Sequence, residues 1–350
     1  MKSVVMIGPC PDAKGGMSSV IAVYRAHGLF SEGDCRYLIT ATEGNTWHKL
    51  WVATSAFGLF VKLLALGRVS VLHAHVASGV SFWRKSLFIG LAYLFGCPVI
   101  FQLHGAEFRT FVAQRLTGWR KNLAFKLMRE SSLVFVLSRD AEELLRTNVG
   151  LSRIELFPNP IATPKCVNRA RTNDVVFLGQ IGNRKGAFDL IKSFSEVHKK
   201  IPSSRLILAG NGEIQKAKEL VSELNLGHSV IFSGWVNEEQ RTKLLSEAGV
   251  FVLPSYNEQM PMSVLEAMAS EVPIIASTVA AIPDMLEHGK CGVLIPPGNI
   301  QALGEAIAEL LADPKRASDL AKRAHQRVHL HYSADVVLKR LRWQYGQLAR

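Results

Sequence analysis

Two carboxylates frame the segment "NEQMPMSVLEAMAS", which runs from Asn257 to Ser270. Glu258 precedes a Met-Pro-Met triplet, and Glu266 follows eight residues later in a run that is typical of a helix. Pro261 fits the first helical turn, so the N–H groups of residues 262–264 would have no acceptor within the helix. Such donors and the positive helix terminus suit a phosphate. The segment predicts either a pocket for a phosphorylated sugar or a plain helix with an acidic first turn.

If a phosphate binds here, we expect different residues of the segment to contact different parts of the ligand. Glu266, one turn into the helix, could accept hydrogen bonds from ribose hydroxyls, and Glu258 in the loop could accept them from sugar hydroxyls. A carboxylate is a poor direct neighbour of a diphosphate, so the two glutamates should flank it. The residues expected against the phosphate are those at the start of the helix, Met260, Pro261, Met262 and Ser263.

A second cluster of polar residues lies in "VFLGQIGNRKGAFDLIKSF", where Arg184 and Lys185 occupy a glycine-flanked loop between a predicted strand and a predicted helix. A Walker loop needs Gly-Lys followed by Ser or Thr, so this Arg-Lys-Gly order excludes ATP binding of that kind. Two cations at the end of a strand still suit a diphosphate, at about 1.5–3 kcal/mol for each charge-assisted contact. The alternative is a pair of solvated surface charges.

Three further glycines and one histidine are candidates. Gly15 and Gly16 follow the first strand and could let backbone N–H groups approach an anion, although glycine pairs are common in turns. Gly212 in "LAGNGE" follows another strand, but position 215 is not the third glycine of a dinucleotide fingerprint. His104 ends a buried strand and could donate to a substrate hydroxyl or phosphate, or simply bond to the backbone.

His73 and His75 lie in the same predicted strand, "VSVLHAHV". We expect them on opposite faces of that strand and therefore predict no metal pair there.

The elements that must position these residues alternate between short, continuously apolar strands and helices in both halves of the chain. Continuous apolar runs fit strands buried on both faces of a parallel sheet. The best linker is 156–174, which contains three prolines. The sequence thus predicts an α/β protein of two Rossmann-like, doubly wound domains, with ligands bound beyond the carboxyl ends of the strands in a cleft between them.

Composition narrows the function classes. Of the net charge of +12, a balance of +9 falls in residues 1–168, where 19 Lys and Arg face 10 Asp and Glu. Nucleic acid, an anionic membrane surface and an acidic substrate would each explain this excess. Five cysteines, Cys10, Cys35, Cys97, Cys166 and Cys291, without CxxC spacing indicate a reducing compartment and argue against a disulfide framework or a zinc site.

No secretory signal is evident, and the uncharged stretch 86–103 is interrupted by Gly-Cys-Pro. It therefore reads as helix, turn and strand rather than as a membrane span.

Taken together, the Gly-Gly loop, "HG" after an inner strand, "G-x(5)-KG", "AGNGE", "FSGWV" and "EQMPMSVLEAMAS…VPIIAS" resemble the retaining GT-B glycosyltransferases of family 4. The spacing of Glu258 and Glu266 matches the EX7E motif of that family. The resemblance covers nearly the whole chain and is most specific between Asp174 and Gly298. It implies an acceptor-binding Rossmann-like domain (1–165), a domain for the nucleotide-sugar donor (170–330), and a C-terminal helix (331–350) that crosses back to the first domain.

The resemblance also implies residue roles and needs neither a metal nor another cofactor. Lys185 resembles the basic residue on the donor diphosphate, Glu258 the glutamate near the donor sugar, and Glu266 the one on the ribose. His104 is similar to the active-site histidine of the first domain, so the implied catalytic set is His104, Lys185 and Glu258.

Gly15 and Gly16 are similar to the family's glycine loop, and Arg184, Gly212 and the helix start complete the implied binding set. Two departures stand out. Gln180 occupies the place of a common arginine, for which Arg184 is the candidate substitute. Ala280 and Ala281 stand where family members often carry Gly-Gly.

Basic residues flank apolar stretches in the first half, including "AQRLTGWRKNLAFKLMRE". There Leu116, Trp119, Leu123 and Leu127 form a predicted stripe that could face either the core or a membrane. We hypothesise a cytoplasmic enzyme at the inner face of the cell membrane. It would move a sugar, preferably from a UDP-sugar, to a polyprenol-linked glycan acceptor in surface-polysaccharide biosynthesis.

Three alternatives stay open against this hypothesis. A sugar-nucleotide epimerase would need no acceptor, and a non-catalytic nucleotide-sugar-binding partner would show no turnover. A nucleic-acid-binding protein would explain the charge, but it calls for aromatic-interleaved basic loops or a reading helix, which the sequence lacks.

Overall fold

A computed structural model describes residues 2–31, 33, 35–163 and 171–349 of the chain. The described chain forms two compact units, Met1–Pro160 with Ala334–Arg350, and Ile161–Ser333. The boundary between residues 160 and 161 falls inside the segment 156–174 that the sequence marks as a linker. Part of that segment, including Cys166, lies outside the described residues.

The first unit contains a six-stranded parallel sheet in the order β2-β1-β3-β4-β5-β6. Its strands are β1 (Ser3–Pro9), β2 (Cys35–Ala41), β3 (Val69–Val76), β4 (Val99–Leu103), β5 (Leu133–Val136) and β6 (Ile154–Leu156). Its helices up to this point of the chain are α1 (Gly16–Ala26), α2 (Thr46–Ala65), α3 (Val80–Leu94), α4 (Phe108–Thr110), α5 (Gly118–Arg129) and α6 (Arg139–Val149), with a π-helical turn at Phe111–Arg115.

The second unit repeats the architecture with the order β12-β11-β10-β7-β8-β9. Its strands are β7 (Asp174–Leu178), β8 (Arg205–Ala209), β9 (Val230–Gly234), β10 (Val250–Leu253), β11 (Ile274–Ser277) and β12 (Val293–Ile295). Its helices are α7 (Ala187–Lys200), α8 (Ile214–Glu223), α9 (Glu238–Glu247), α10 (Met262–Ala269), α11 (Ile282–Met285), α12 (Ile300–Ala312) and α13 (Pro314–His331), with 3₁₀ turns at Asn183–Lys185 and Glu287–Gly289.

Burial on both faces explains why most of these strands are continuous apolar runs. Every residue of β4, β7, β10 and β11 is buried, and all strand pairs are parallel. The predicted pair of doubly wound α/β domains is confirmed. The strands β2 and β6 were not predicted from the sequence: buried and more exposed residues alternate in β2, and β6 has only three residues, all partly buried.

Each sheet has a point where the strand order reverses, and in doubly wound sheets ligands bind there, beyond the carboxyl ends of the strands. In the first unit the reversal lies between β1 and β3, and in the second it lies between β7 and β10. The loops that leave β7 and β10 contain Lys185 and Glu258, respectively. The order of the second sheet therefore brings two sequence-predicted site residues to one place.

Right-handed crossovers decide which helices share a face of the first sheet. The connections through α2, α3, α5 and α6 all run in one direction along the strand order and the one through α1 runs in the other, so α1 lies on the opposite face. Neighbouring members of the larger layer are in contact, α2 with α3, α3 with α5, and α5 with α6.

The last helix, α14 (Ala334–Leu348), packs in the first unit against α1 and β3. The hydroxyl of its Tyr345 is 2.7 Å from Nδ1 of the His73 imidazole, and Arg340 forms an ion pair with Glu155. The side chain of Trp343, two residues before Tyr345, is 60% exposed and does not anchor this helix. Tyr345 alone of this pair is buried, since the two residues lie on different sides of the helix.

The uncharged stretch 86–103 is helix, turn and strand, as predicted: it comprises the end of α3, a turn and β4. Among the residues that the structure describes, none of the helices combines the length and the apolar character needed to cross a membrane.

Candidate functional site

The loops that leave β7 and β10 are joined by backbone contacts. The N–H of Tyr256 donates to the carbonyl of Arg184 at 2.9 Å, and the Arg184 guanidinium donates to the carbonyl of Asn257 at 3.2 Å. Gly186 has a φ of +70°, and a Cβ at this position would lie 2.1 Å from the carbonyl oxygen of Pro254. A glycine is therefore required where the two loops cross, and this close approach brings their side chains together.

Lys185 and Glu258 form an ion pair at this crossing. The Lys185 ammonium lies 2.5 Å from Oε1 of Glu258, and the Arg184 guanidinium lies 3.7 Å from the same oxygen. The hydroxyl of Ser255 also donates to it at 3.0 Å. Lys185 and Glu258 are only 14% and 8% exposed, whereas Arg184 is 41% exposed. The buried carboxylate and the half-buried ammonium thus neutralise each other, and Arg184 is the more solvated cation.

Next to this pair, α10 begins at Met262, and Pro261 is its N-cap rather than its first helical residue. The expectation of three free N–H groups is corrected to two, because the N–H of Val264 donates to the carbonyl of Pro261 at 3.2 Å. Within the described chain, the N–H groups of Met262 and Ser263 have no hydrogen-bond acceptor. Two donors at a helix start remain available to an anion.

The side chain of Met260 is buried beside this helix start. The carbonyl of Gln259 accepts from the N–H of Ala281 at 3.0 Å, so the loop after β11 supports the loop after β10. Ala280, one of the two alanines that stand where glycines are common, has a φ of +49°. This is a left-handed conformation that an L-residue adopts at a cost.

Glu266 lies in α10, as predicted, and its carboxylate is 3.3 Å from the guanidinium of Arg241 in α9. Burial raises the pKa of Glu266 to about 7, although Arg241 acts in the opposite direction. Arg241 was not predicted from the sequence, because nothing in its local pattern distinguishes it from other basic residues on helices. At neutral pH, protonated and ionised forms of the Glu266 carboxyl are therefore both populated.

The packing of the loop after β8 explains its two glycines. A Cβ at Gly210 would lie 1.8 Å from the carbonyl oxygen of Gly179, and one at Gly212 would lie 2.2 Å from that of Ile181. Gly212 and Ile181 form an isolated parallel bridge. Gly212 thus has a structural reason to be glycine, and its predicted contact with a ligand stays a prediction.

Arg184 also borders a cavity of about 280 Å³, which it shares with Asn183, Gly186, Phe188, Asp189 and Tyr256. The hydroxyl of Tyr256 donates to the carboxylate of Asp189 at 2.6 Å, and both residues line this cavity. Lys185 is not among the lining residues. Of the two adjacent cations, Arg184 therefore borders the cavity, whereas Lys185 forms the close ion pair with Glu258.

In the first unit, Gly15 and Gly16 form the start of α1 after β1, and both are exposed. His104 follows β4 directly, and its backbone N–H donates to the carbonyl of Val76 at 2.8 Å. Its ring does not bond to the backbone: Nε2 of His104 is 2.8 Å from Nδ1 of His75. Burial lowers the pKa of His104 to about 3, so its imidazole is neutral at physiological pH.

The expectation that His73 and His75 face opposite sides is wrong. Alternate residues of a strand share a face, and the rings of His73 and His75 stack with centroids 4.6 Å apart. The ring of His104 stacks on His75 at 4.9 Å, so three imidazoles form one buried row. Among the described residues, no three histidine, cysteine, aspartate or glutamate side chains are arranged to hold a metal ion.

Both halves of the chain match known protein families. Residues 163–327 match the model of the glycosyl transferases group 1, and residues 17–164 match that of glycosyltransferase family 4. The second half of the chain thus belongs to the glycosyl transferases group 1, and the first half to glycosyltransferase family 4. The resemblance expected from the sequence is thus confirmed, and the two matched segments correspond closely to the two units of this glycosyltransferase-family protein.

Individual relatives agree with this assignment. A glycogen synthase of Mycobacterium tuberculosis is 26% identical over 259 residues, which represent 69% of this chain and 61% of the relative. The chain therefore matches about three fifths of the length of that protein. Sucrose-phosphate synthase from Thermosynechococcus elongatus has a TM-score of 0.81 at 22% identity, and the alignment covers 99% of both chains.

HepE from Anabaena, solved in complex with UDP-glucose, has a TM-score of 0.76 at 15% identity, over 99% of this chain and 100% of that chain. At such identities the likeness establishes the fold. The GT-B fold predicted from the sequence is confirmed.

Proposed function

We propose that this protein is a retaining glycosyltransferase that moves a sugar from a nucleotide-sugar donor to a lipid-linked glycan acceptor at a membrane surface. The observation that carries the proposal is the meeting of Lys185, Glu258 and the start of α10 at the point where the second sheet reverses its strand order. A diphosphate needs cations and N–H donors, and a sugar needs carboxylate acceptors. All three kinds of group lie within these two loops.

The donor would be held mainly by the second unit. Its diphosphate would bind the Lys185 ammonium and the N–H groups of Met262 and Ser263, which have no other acceptor in the described chain. Binding would require Lys185 to exchange its contact with Glu258 for one with phosphate. This exchange would free the Glu258 carboxylate to accept hydrogen bonds from the sugar hydroxyls, and Glu266 would accept them from the ribose.

Retention would follow from attack on the same face of the sugar from which the diphosphate leaves. In such a front-face reaction the acceptor hydroxyl bonds to the anomeric carbon, the bond from that carbon to the diphosphate oxygen breaks, and the departing phosphate oxygen takes the hydroxyl proton. The main task of the protein is then to stabilise the charge that develops on the diphosphate. Proton NMR of the product would test this step, because an inverted anomeric configuration would contradict it.

We favour a UDP-sugar as the donor. The structurally similar HepE was solved with UDP-glucose. A thermal-shift screen against UDP-, GDP-, ADP- and dTDP-sugars tests this preference, since a ligand that binds the native state alone raises its melting temperature. We expect the largest rise with a UDP-sugar. A chain unaffected by all four would contradict the proposed donor site.

The acceptor proposal depends on an apolar surface of the first unit. Trp47, Trp51, Val80 and Trp119 are strongly exposed on α2, α3 and α5, which lie side by side on one face of the sheet. They lie near the starts of these helices, which in a parallel sheet follow the carboxyl ends of the strands. Exposed tryptophans are typical of membrane interfaces, where the ring lies at the headgroup level.

The buried and exposed positions of α5 differ from the apolar stripe predicted from the sequence. Leu116 precedes the helix and is buried, Leu127 is also buried, and Trp119 and Leu123 are exposed. The core face of the helix consists of Ala124, Phe125, Leu127 and Met128. This arrangement supports a surface role for Trp119. The Arg120 guanidinium lies over its ring, 5.6 Å from the ring centroid. Each basic residue near an anionic surface contributes about 1 kcal/mol.

Liposome co-sedimentation tests the membrane part of the proposal. We expect binding to vesicles with anionic lipid that weakens as salt increases, and at least fivefold weaker binding for the Trp47→Ser/Trp51→Ser variant. Trp343→Ser is the matched control, because this tryptophan is also exposed but lies on α14, in the opposite helix layer. Equal binding to neutral and anionic vesicles, or an equal loss in the control, would contradict a charged membrane face.

A further inference from the structure

The buried row of histidines in the first unit contains a contact that restricts the chemistry of His104. Nδ1 of His75 and Nε2 of His104 are 2.8 Å apart. Burial lowers the pKa of both imidazoles, well below the ordinary range for His75 and to about 3 for His104. Both rings are therefore neutral at physiological pH, and one of them must donate the single proton of this hydrogen bond while the other accepts it.

The other nitrogen of His75 indicates which ring is the donor. Nε2 of His75 is buried, and it has no hydrogen-bond partner among the described residues. A buried N–H without an acceptor is rarer in proteins than a buried lone pair without a donor. Nε2 of His75 therefore carries the lone pair, so its proton is on Nδ1 and points to His104. His104 accepts through Nε2 and must carry its own proton on Nδ1.

We propose that His75 is a positioning residue that holds His104 as the Nδ1–H tautomer. His104 then offers a substrate a hydrogen-bond donor and has no free ring lone pair with which to act as a general base. This inference rests on the proposed function, in which His104 serves the transfer reaction. It agrees with the front-face reaction, in which the departing phosphate takes the acceptor proton and no histidine base is needed.

His73 provides a control that is matched in its surroundings. It lies two residues from His75 on the same strand, it is equally buried, and it stacks on the same ring at 4.6 Å. Its nitrogens, however, contact other groups: Nδ1 is 2.7 Å from the hydroxyl of Tyr345, and Nε2 is 2.9 Å from Oε1 of Gln102. A change at His73 therefore disturbs the packing of the row without removing the partner of His104.

The direct test is two-dimensional nitrogen–proton NMR of the full chain with ¹⁵N-labelled histidine at pH 7.5. The His104 signals are assigned from their absence in His104→Asn. In the wild-type protein we expect a protonated Nδ1 and an unprotonated Nε2 for His104. In His75→Phe we expect a mixture of tautomers, and in His75→Asn, whose amide can donate from the place of Nδ1, the wild-type pattern. His73→Phe should leave the pattern unchanged.

Kinetics with the donor found by thermal shift complete the test. We expect His75→Phe to lower kcat at least tenfold with less than a threefold change in KM for the donor, and His75→Asn and His73→Phe to keep kcat within threefold to fivefold of the wild-type value. A wild-type His104 protonated on Nε2, or a His104 tautomer unchanged in His75→Phe, would overturn the inference. Absence of any transfer by the wild-type protein would count against the proposed function, whereas the NMR result would still decide the tautomer.

Discussion

Replacing Lys185 by alanine tests the donor site most sharply, because two separable effects follow from the geometry. The first concerns stability: without the ammonium at 2.5 Å, the buried Glu258 carboxylate keeps only the Ser255 hydroxyl and the more distant Arg184 guanidinium. Leaving a buried charged group with reduced pairing costs about 1–3 kcal/mol in free energy of unfolding. Chemical denaturation should detect a loss of this size.

The second effect concerns turnover. Removing one preorganised charge from the departing diphosphate should lower kcat by roughly two to four orders of magnitude, or about 2.7–5.5 kcal/mol of transition-state stabilisation. The assay is release of the nucleoside diphosphate from the best-binding sugar nucleotide, with membrane extract as the source of acceptor. Arg184→Ala is the neighbouring control, and we expect less than a tenfold loss because Arg184 is far more solvated.

The double variant Lys185→Ala/Glu258→Gln separates the two effects. Removing the carboxylate charge should restore most of the lost stability, because no ionised group then remains without its partner. Turnover should stay low, since the diphosphate still lacks its cation. Turnover of Lys185→Ala within threefold of wild type would refute the reasoning. Recovery of turnover in the double variant would show instead that Lys185 only neutralises Glu258.

Three further changes have expected outcomes. Burial raises the folded-state pKa of Glu266 from its ordinary 4.5 to about 7, so this carboxyl stabilises the fold fully below pH 4.5 and loses that contribution as pH rises to about 7. Relative to Glu266→Gln, the wild-type protein should lose about 3 kcal/mol of unfolding free energy between pH 4.5 and 7.5 in urea titrations, and parallel curves would contradict this. Ala280→Gly should raise the unfolding free energy by up to about 1 kcal/mol, because φ is +49° there; a lower melting temperature would argue against strain. Tyr345→Phe should destabilise the first unit by about 1–2 kcal/mol, because the buried His73 Nδ1 loses its partner; unchanged chemical denaturation would contradict this role for the hydroxyl.

The sequence predicts the fold well because its strands are buried on both faces and therefore read as continuous apolar runs. The strand β2 departs from that rule: Cys35, Leu38 and Thr40 are buried, while the residues between them are more exposed. The strand β6 is too short to form a recognisable pattern. Both lie at the edges of the first sheet, where one-sided pairing relaxes the demand for apolar residues.

The site residues could be named from the sequence, but their pairings could not. Lys185 and Glu258 are separated by 73 positions, and their contact depends on the strand order that places β7 beside β10 and on the close approach at Gly186. The contact between Arg241 and Glu266 likewise depends on the fold, because the two residues lie on different helices. The row formed by His73 and His75 could have been predicted, because the period of two along a strand puts alternate residues on one face.

A crystal structure of the protein with bound UDP-glucose would test most directly whether the two linked phosphates lie at the start of α10. We expect phosphate oxygens within hydrogen-bonding distance of the Lys185 ammonium and of the N–H groups of Met262 and Ser263, with Glu258 turned from the ammonium toward the glucose hydroxyls. A diphosphate bound elsewhere, with Lys185 and Glu258 still paired to each other, would contradict the proposed donor site.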